Sequence, residues 1–282
     1  MVPVINERID RLFECFDEAM RIDKAILLNN AFSALAADVV IYHLFGEHHD
    51  FVSNEGFESP IPDSFQEFAN FYHLARFVPG LFNFLRMLPF SVARLVSPRG
   101  PAVLNFNQQL RKKVEFYSET IKTREISPVV SMLLNNPSIP NKEKSLERIF
   151  DEATIFIGAG TETLSRAMRV GIFYVLSDKS ILACMREELA TLPPPQNQAY
   201  ILSQLEALPY LVSSTRHFQQ AINLIEYETG VVHEALRLSF GPISRRPRIA
   251  TEESLQYGAW VIPAGVSLIS LGYIPLNILG PL

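Results

Sequence analysis

The sequence predicts a mainly α fold with a small β part near the C-terminus. Three observations carry this. Apolar residues recur at spacings of three and four over most of the chain, beginning with Ile5, Ile9 and Leu12. Proline clusters such as Pro193-Pro194-Pro195 punctuate the helical stretches. After Gly241 that rhythm gives way to short extended pieces, Arg248–Ala250 and Leu255–Ile262, with Gly258 at a turn.

In chain order, Ile5, Ile9, Leu12, Phe13, Phe16, Ala19 and Met20 line one face of a first helix. Lys24–Phe45 repeats the pattern more apolarly, with Asp23 as a cap and Gly46 as a stop. Gly46–Asp63 is a loop by composition: Gly46, Asn54, Gly56, Pro60 and Pro62, with His48 and His49. Phe65–Phe77 reads as a short helix, and Phe77–Pro101 as an apolar stretch broken by prolines. Val103–Arg124 is a long amphipathic helix with Arg111, Lys112 and Lys113 on a solvated face. Ser127–Asn141 is a short helix and then a loop. Lys142–Leu176 carries one long apolar stripe and no proline. Asp178–Leu192 is another amphipathic helix, and Ser203–Leu238 is helical with an irregular middle.

Composition narrows the function. The 282 residues are 48% hydrophobic and 20% charged, so a packed core is expected rather than a disordered chain. A formal net charge of −5 leaves no positive field for nucleic acid. Twenty Phe against one Trp suit apolar interiors or apolar ligands. Cys15 and Cys184 form neither a disulfide framework nor a CxxC pair, which fits a reducing compartment. Charges throughout Met1–Met20 exclude a secretory signal core. The most apolar stretch, Phe77–Val96, is interrupted by Pro79, Pro89, Arg86 and Arg94, so no spanning helix is expected. His48 and His49, beside Glu47 and Asp50, make a poor chelate and read as a solvated loop. His233 reads as a packed histidine. No Ser/His/Asp arrangement has supporting context, and Gly158-Ala159-Gly160 follows a helical run, so it is no nucleotide loop.

The most informative stretch is Ile155-Phe156-Ile157-Gly158-Ala159-Gly160-Thr161-Glu162-Thr163-Leu164. Each glycine inside a helix costs about 1 kcal/mol relative to Ala. A helix that carries two of them lets another body approach its backbone, or opens a bulge in its hydrogen-bond ladder. An acid and an alcohol beside a cavity can relay protons. The plainer reading is a helix–helix crossing at small residues, with Glu162 solvated. A second constellation, Val231-Val232-His233-Glu234-Ala235-Leu236-Arg237-Leu238, sets Glu234 and Arg237 three apart on one helix face. Ser244-Arg245-Arg246-Pro247-Arg248 and then Ile262-Pro263-Ala264-Gly265 follow.

Together these residues resemble the cytochrome P450 monooxygenases, in their fungal, secondary-metabolism form. Ala159-Gly160-Thr161-Glu162-Thr163 resembles the family's oxygen-binding helix. Glu234-x-x-Arg237 resembles its E-x-x-R motif, preceded by Leu208-Pro209-Tyr210-Leu211. The resemblance covers nearly the whole chain and implies a haem cofactor. It implies that Glu162 and Thr163 deliver protons during oxygen activation, while Ala159 and Gly160 face the haem. Glu234 and Arg237 would brace the haem-side core. Arg248 would contact a haem propionate, or else be an exposed strand-edge arginine. An NADPH-dependent reductase and an apolar small-molecule substrate would be the partners. The resemblance implies the endoplasmic reticulum membrane for full-length members. This chain would meet a membrane surface through Phe77–Val96, or be cytoplasmic.

The sequence also departs from that family. The expected iron ligand is a cysteine in a Phe- and Gly-rich loop after E-x-x-R. No Cys follows Cys184, which sits on a charged amphipathic stretch, so no metal ligand is assigned. Residues 1–265 are expected to form a partial P450 domain truncated at both ends. Val212–Glu228 is a 17-residue insertion between Leu-Pro-Tyr-Leu and E-x-x-R, and Val266–Leu282 a non-family tail. Both begin Val-Ser, a pair that an intron donor can encode, so both read as translated introns; the alternative is a genuine loop and a genuine short form. The chain is therefore expected to lack activity as written. The alternative function is a non-catalytic helical fragment or an interaction protein. An unrelated helical carrier of apolar ligands would need the ordered motifs to be coincidence.

Overall fold

A computed structural model describes residues 1–47, 49–66, 78, 80, 100–120, 129–193, 202–212, 230–239 and 247–269. The described helices are α1 (Val2–Arg21), α2 (Leu28–Phe45), α3 (Gly100–Thr120), α4 (Val129–Asn135), α5 (Leu146–Ser177), α6 (Lys179–Leu189), the single turn α7 (Leu202–Leu205) and α8 (Val231–Leu238). Four three-residue strands follow: β1 (Pro247–Ile249), β2 (Leu255–Tyr257), β3 (Trp260–Ile262) and β4 (Ser267–Ile269). The mainly α prediction therefore holds, with the β part where it was expected.

Helix α2 runs through the middle of the core. Its residues 31 to 38 are all buried, because Ala and Ser let neighbours close in on every side. It packs along α5, with α1 and α4 also against it. Ile41, Leu44 and Phe45 from α2 meet Val52, Val114 from α3, Val130 from α4 and Ile157 from α5. Each such side chain contributes roughly 1.5–3 kcal/mol by leaving water. The buried Tyr117 hydroxyl donates to the Phe45 carbonyl. Buried Asp38 accepts from the backbone N–H groups of Phe51 (2.9 Å) and Val52 (3.1 Å), which folds the following loop back onto α2. Burial pushes the Asp38 carboxyl up from its ordinary value, against those two bonds and nearby Arg8.

Helix starts and stops differ from the sequence in places. Gly46 ends α2 as expected, in the left-handed conformation (φ 71°) that suits glycine. Asp23 does not cap α2: it takes φ 53° in the turn after α1, and α2 begins only at Leu28. Ser145 caps α5, accepting from the Arg148 N–H. Asp178 caps α6 and accepts from both the N–H and the hydroxyl of Ser180, which holds its carboxyl below the ordinary value. Ser203–Leu238 is not one helix. A single turn, α7, is followed by a turn through Leu208–Leu211, and α8 starts at Val231.

β2 and β3 form a hairpin, Leu255 opposite Ile262 and Tyr257 opposite Trp260, with Gly258 at φ 58° in the turn. β1 pairs antiparallel with β4, Arg248 opposite Leu268. β4 lies in the stretch expected to have left the family pattern. Ser267–Ile269 pairs with β1 all the same, so this part of the tail is built into a sheet. Apart from Val78 and Gly80, Phe77–Val96 lies outside the described residues, as does His48. His49 is half-buried and stacks on Phe51 (4.4 Å, 9°) rather than standing in solvent. His233 is exposed rather than packed. Among the basic run, Arg111 makes a paired contact to Glu147 (2.7 and 2.8 Å), and Lys113 lies 3.5 Å from Glu47.

Candidate active-site face

Helix α5 is continuous over 32 residues, so Gly158 and Gly160 open no bulge. Its two sides differ sharply. Ile149, Ala153, Ile157, Thr161 and Ser165 are buried, while Ile155, Ala159, Thr163, Arg166 and Phe173 are exposed. At 100° per residue the second set falls on one stripe, with half-buried Glu162 along its edge. Ala159, Glu162 and Thr163, spaced three and four, therefore share one open face.

The Thr163 hydroxyl donates to the Ala159 carbonyl at 2.7 Å. This back-bond fixes the hydroxyl on the side of the stripe opposite Glu162 and leaves its oxygen able to accept. Gly160 points the other way. A Cβ built there would lie 2.8 Å from Val40 Cγ2, so the glycine lets α2 and α5 cross closely. The plainer reading of the small residues, a helix crossing, thus describes Gly160, while Ala159 lies on the open face. Gly158 is not forced sterically: its built Cβ has Phe65 Cδ2 at an ordinary 3.8 Å.

Helix α8 lies across the C-terminal half of α5. A Cβ at Gly171 would be 3.0 Å from the Ala235 Cβ, which fixes how near the helices come. On α8, the Arg237 Nε donates to both Glu234 oxygens (3.1 and 2.8 Å), and its Nη2 donates to Oε2 (2.6 Å). This hydrogen bonding raises the Arg237 guanidinium above its ordinary value. Both side chains are about one-third exposed (36% and 32%), so the pair itself is worth roughly 1 kcal/mol or less. Its geometric role is to hold two charges on a short helix against α5. Arg248 stands exposed on β1 and is not brought to the α5 face by any described contact.

Neither cysteine belongs to this face. Cys15 is half-buried on α1, its Sγ 3.7 Å from the Val52 carbonyl, and Cys184 is exposed on α6. Among the described residues no cluster of three or more His, Cys, Asp or Glu could hold a metal ion. No helix among them is long and apolar enough to cross a membrane.

Sequence reasoning missed Glu188. Its carboxylate, on α6, accepts the backbone N–H groups of Tyr210 and Leu211, both at 2.8 Å. In Arg186-Glu187-Glu188-Leu189 nothing separates it from a solvated helix charge. It missed Gly171 for a similar reason, since one glycine in an apolar helix carries no partner's address.

Comparison with known proteins follows the same lines. The sequence model for cytochrome P450 matches residues 1–274. Cytochrome P450 monooxygenase TRI4 of Trichoderma arundinaceum is 39% identical over 272 residues, covering 96% of this chain and 49% of that protein. TRI4 of Fusarium sporotrichioides is 37% identical over 274 residues, with the same shares. SAT11 of Stachybotrys chartarum, also a cytochrome P450 monooxygenase, is 36% identical over 268 residues, covering 94% and 48%. The chain thus spans about half the length of the curated relatives it matches. Among solved structures, a mutant cytochrome P450DA heme domain superposes with a TM-score of 0.63 at 15% identity, over 97% of this chain and 53% of that one. That likeness supports the fold alone.

Proposed function

This chain belongs to the cytochrome P450 family, and from that premise we propose that its α5 face forms one wall of a haem pocket in a monooxygenase. The family's cofactor is haem. The observation that carries the proposal is the open stripe of α5. A flat apolar macrocycle fits against Ala159, whose single methyl sits between Ile155 and Thr163. The donor set fits only that one face, because neither Cys15 nor Cys184 reaches it and no axial thiolate is supplied within these residues. When bound, haem supplies the oxygen-activating chemistry that protein side chains lack.

The chain's own residues do the rest. Ile155 and Phe156, exposed on α5, offer apolar surface toward haem and substrate. Glu162 holds or passes a proton at its carboxylate. Thr163, anchored through Ala159, places a hydroxyl oxygen that can accept a proton or a water hydrogen bond. Glu234 and Arg237 hold α8 in shape behind the face. Arg248 on β1 is the residue we assign to a haem propionate. The substrate class is an apolar small molecule of terpenoid, polyketide or fatty-acid type, suited to the Phe-rich composition. An NADPH-dependent reductase supplies the electrons. We place the whole protein at the endoplasmic reticulum membrane, with Phe77–Val96 as the contacting segment. We also propose that the 282 residues by themselves are inactive.

The test is Thr163→Ala in the whole protein, assayed with reductase and NADPH. Acid–base groups of this kind contribute about 10²–10⁴ to rate. Product formed per NADPH consumed is expected to fall by about 10-fold or more, while substrate binding holds. Unchanged coupling would remove Thr163 from its role.

A further inference from the structure

Backbone hydrogen bonds near α8 join two parts of the chain far apart in sequence. The Val231 N–H donates to the Tyr210 carbonyl (3.0 Å), and the Val232 N–H to the Leu211 carbonyl (3.1 Å). On one side of them the Val212 N–H donates to the Leu208 carbonyl (2.8 Å). On the other, the Glu234 N–H donates to the Gly230 carbonyl (3.0 Å). An α-helical bond spans four positions. Val231 and Val232 each lie 21 positions after their acceptors. With seventeen surplus residues set aside, all four bonds become rungs of one i→i−4 ladder.

We propose that Leu208–Leu211 and Gly230–Leu238 are two parts of a single helix, which the chain leaves at Val212 and re-enters at Gly230. Four observations support this beyond the ladder. The two amides that open the first part, Tyr210 N–H and Leu211 N–H, have no helical acceptor before them. Both are taken by the Glu188 carboxylate, as a helix cap would take them, but from the neighbouring helix α6. Leu208 is buried, which anchors the first part to the core. Pro209 stands at a first-turn position, where a missing N–H costs nothing. The count also agrees with the 17 residues, Val212–Glu228, that the family resemblance sets apart as an insertion. Those residues are therefore dispensable for α8, and Glu188 is a positioning residue for the helix that carries Glu234 and Arg237.

Two variants of the full chain test this: deletion of 212–228, and replacement of 213–228 by a Gly/Ser segment of equal length. Closing an excursion of n residues costs an entropy that grows as (3/2)R ln n, which lowers the folding equilibrium by a factor of n to the 3/2 power, roughly 70-fold for 17 residues. Deletion is expected to raise the folding constant by up to that factor, and the Gly/Ser replacement to leave it within about 3-fold. In both, hydrogen exchange at the Val231 and Val232 amides stays as slow as in the parent. Glu188→Gln, in parent and deletion alike, is expected to speed exchange at Tyr210 and Leu211 by about 10-fold. A deletion variant that folds less well than the parent, or exchanges Val231 and Val232 freely, overturns the single-helix register. Lost protection in the Gly/Ser variant overturns the dispensability of 212–228, and unchanged exchange in Glu188→Gln removes the cap.

Discussion

Gly160→Ala puts the close crossing of α2 and α5 to a direct test. The new Cβ would lie 2.8 Å from Val40 Cγ2 and 3.5 Å from Cγ1. Val40 is β-branched and sits within a helix, so it is held near one χ1 rotamer and cannot swing aside. The helices must separate, or Val40 must leave its rotamer. Overpacking of this kind costs about 1–3 kcal/mol. Against that, Ala in place of Gly inside a helix gains about 1 kcal/mol. The net expectation is a loss of roughly 0–2 kcal/mol, with a fall in Tm of a few degrees at most. Gly158→Ala is the control, since its Cβ meets only Phe65 Cδ2 at 3.8 Å, and it should stabilise by about 1 kcal/mol. The assay is urea unfolding followed by far-UV circular dichroism, on both variants, on Val40→Ala and on the double variant Val40→Ala/Gly160→Ala. In the double variant the clash is gone, so Gly160→Ala should be harmless there, with a coupling of about 1–2 kcal/mol. If Gly160→Ala stabilises the parent as much as Gly158→Ala does, the crossing does not need its glycine and the reasoning fails.

Other residues carry further expectations. Thr161 is fully buried and its hydroxyl has no hydrogen-bond partner among the described residues, so Thr161→Val should stabilise by about 1–3 kcal/mol in the same unfolding assay; a loss would mean that the hydroxyl is bonded. Gly171→Ala would press on the Ala235 methyl at 3.0 Å, and is expected to lower thermal stability by roughly 1 kcal/mol and to speed hydrogen exchange in α8; unchanged exchange would show that α8 does not rest on that contact. Burial holds the His49 imidazolium below the ordinary value of 6.5, so the unfolded chain takes up the proton first as pH falls. Its stabilising contribution is present above about pH 6.5 and is lost as pH drops through that value toward the folded one. Tm measured between pH 7.5 and 5.5 should fall less in His49→Gln than in the parent, and equal slopes would contradict this.

The helical fold was legible because apolar spacing reports which side of a helix is buried, and α5 obeys it from Ile149 to Val175. The sequence singled out Glu162 and Thr163 as polar residues beside an apolar run, and the structure sets Thr163 on the open side of α5 with Glu162 at its edge. The side to which Gly160 turns was not legible. A glycine shows that something comes close, and only the crossing partner, Val40, shows what. Asp23 misled because a residue fit to cap can equally take the left-handed turn that precedes the helix. The break in Ser203–Leu238 was visible as an anomaly, but its register rests on hydrogen bonds between positions 21 apart. No periodicity reaches across such a gap. The same holds for Glu188, whose partners are backbone amides and therefore leave no trace in side-chain pattern.

The central claim is that these 282 residues supply one wall of a haem pocket and no axial thiolate. The carbon monoxide difference spectrum of the chain, reduced after reconstitution with haem, tests it most directly. No red-shifted band of the thiolate type is expected from these residues alone. A thiolate-type band from the 282-residue chain would contradict the account, because Cys15 or Cys184 would then have to reach the α5 face.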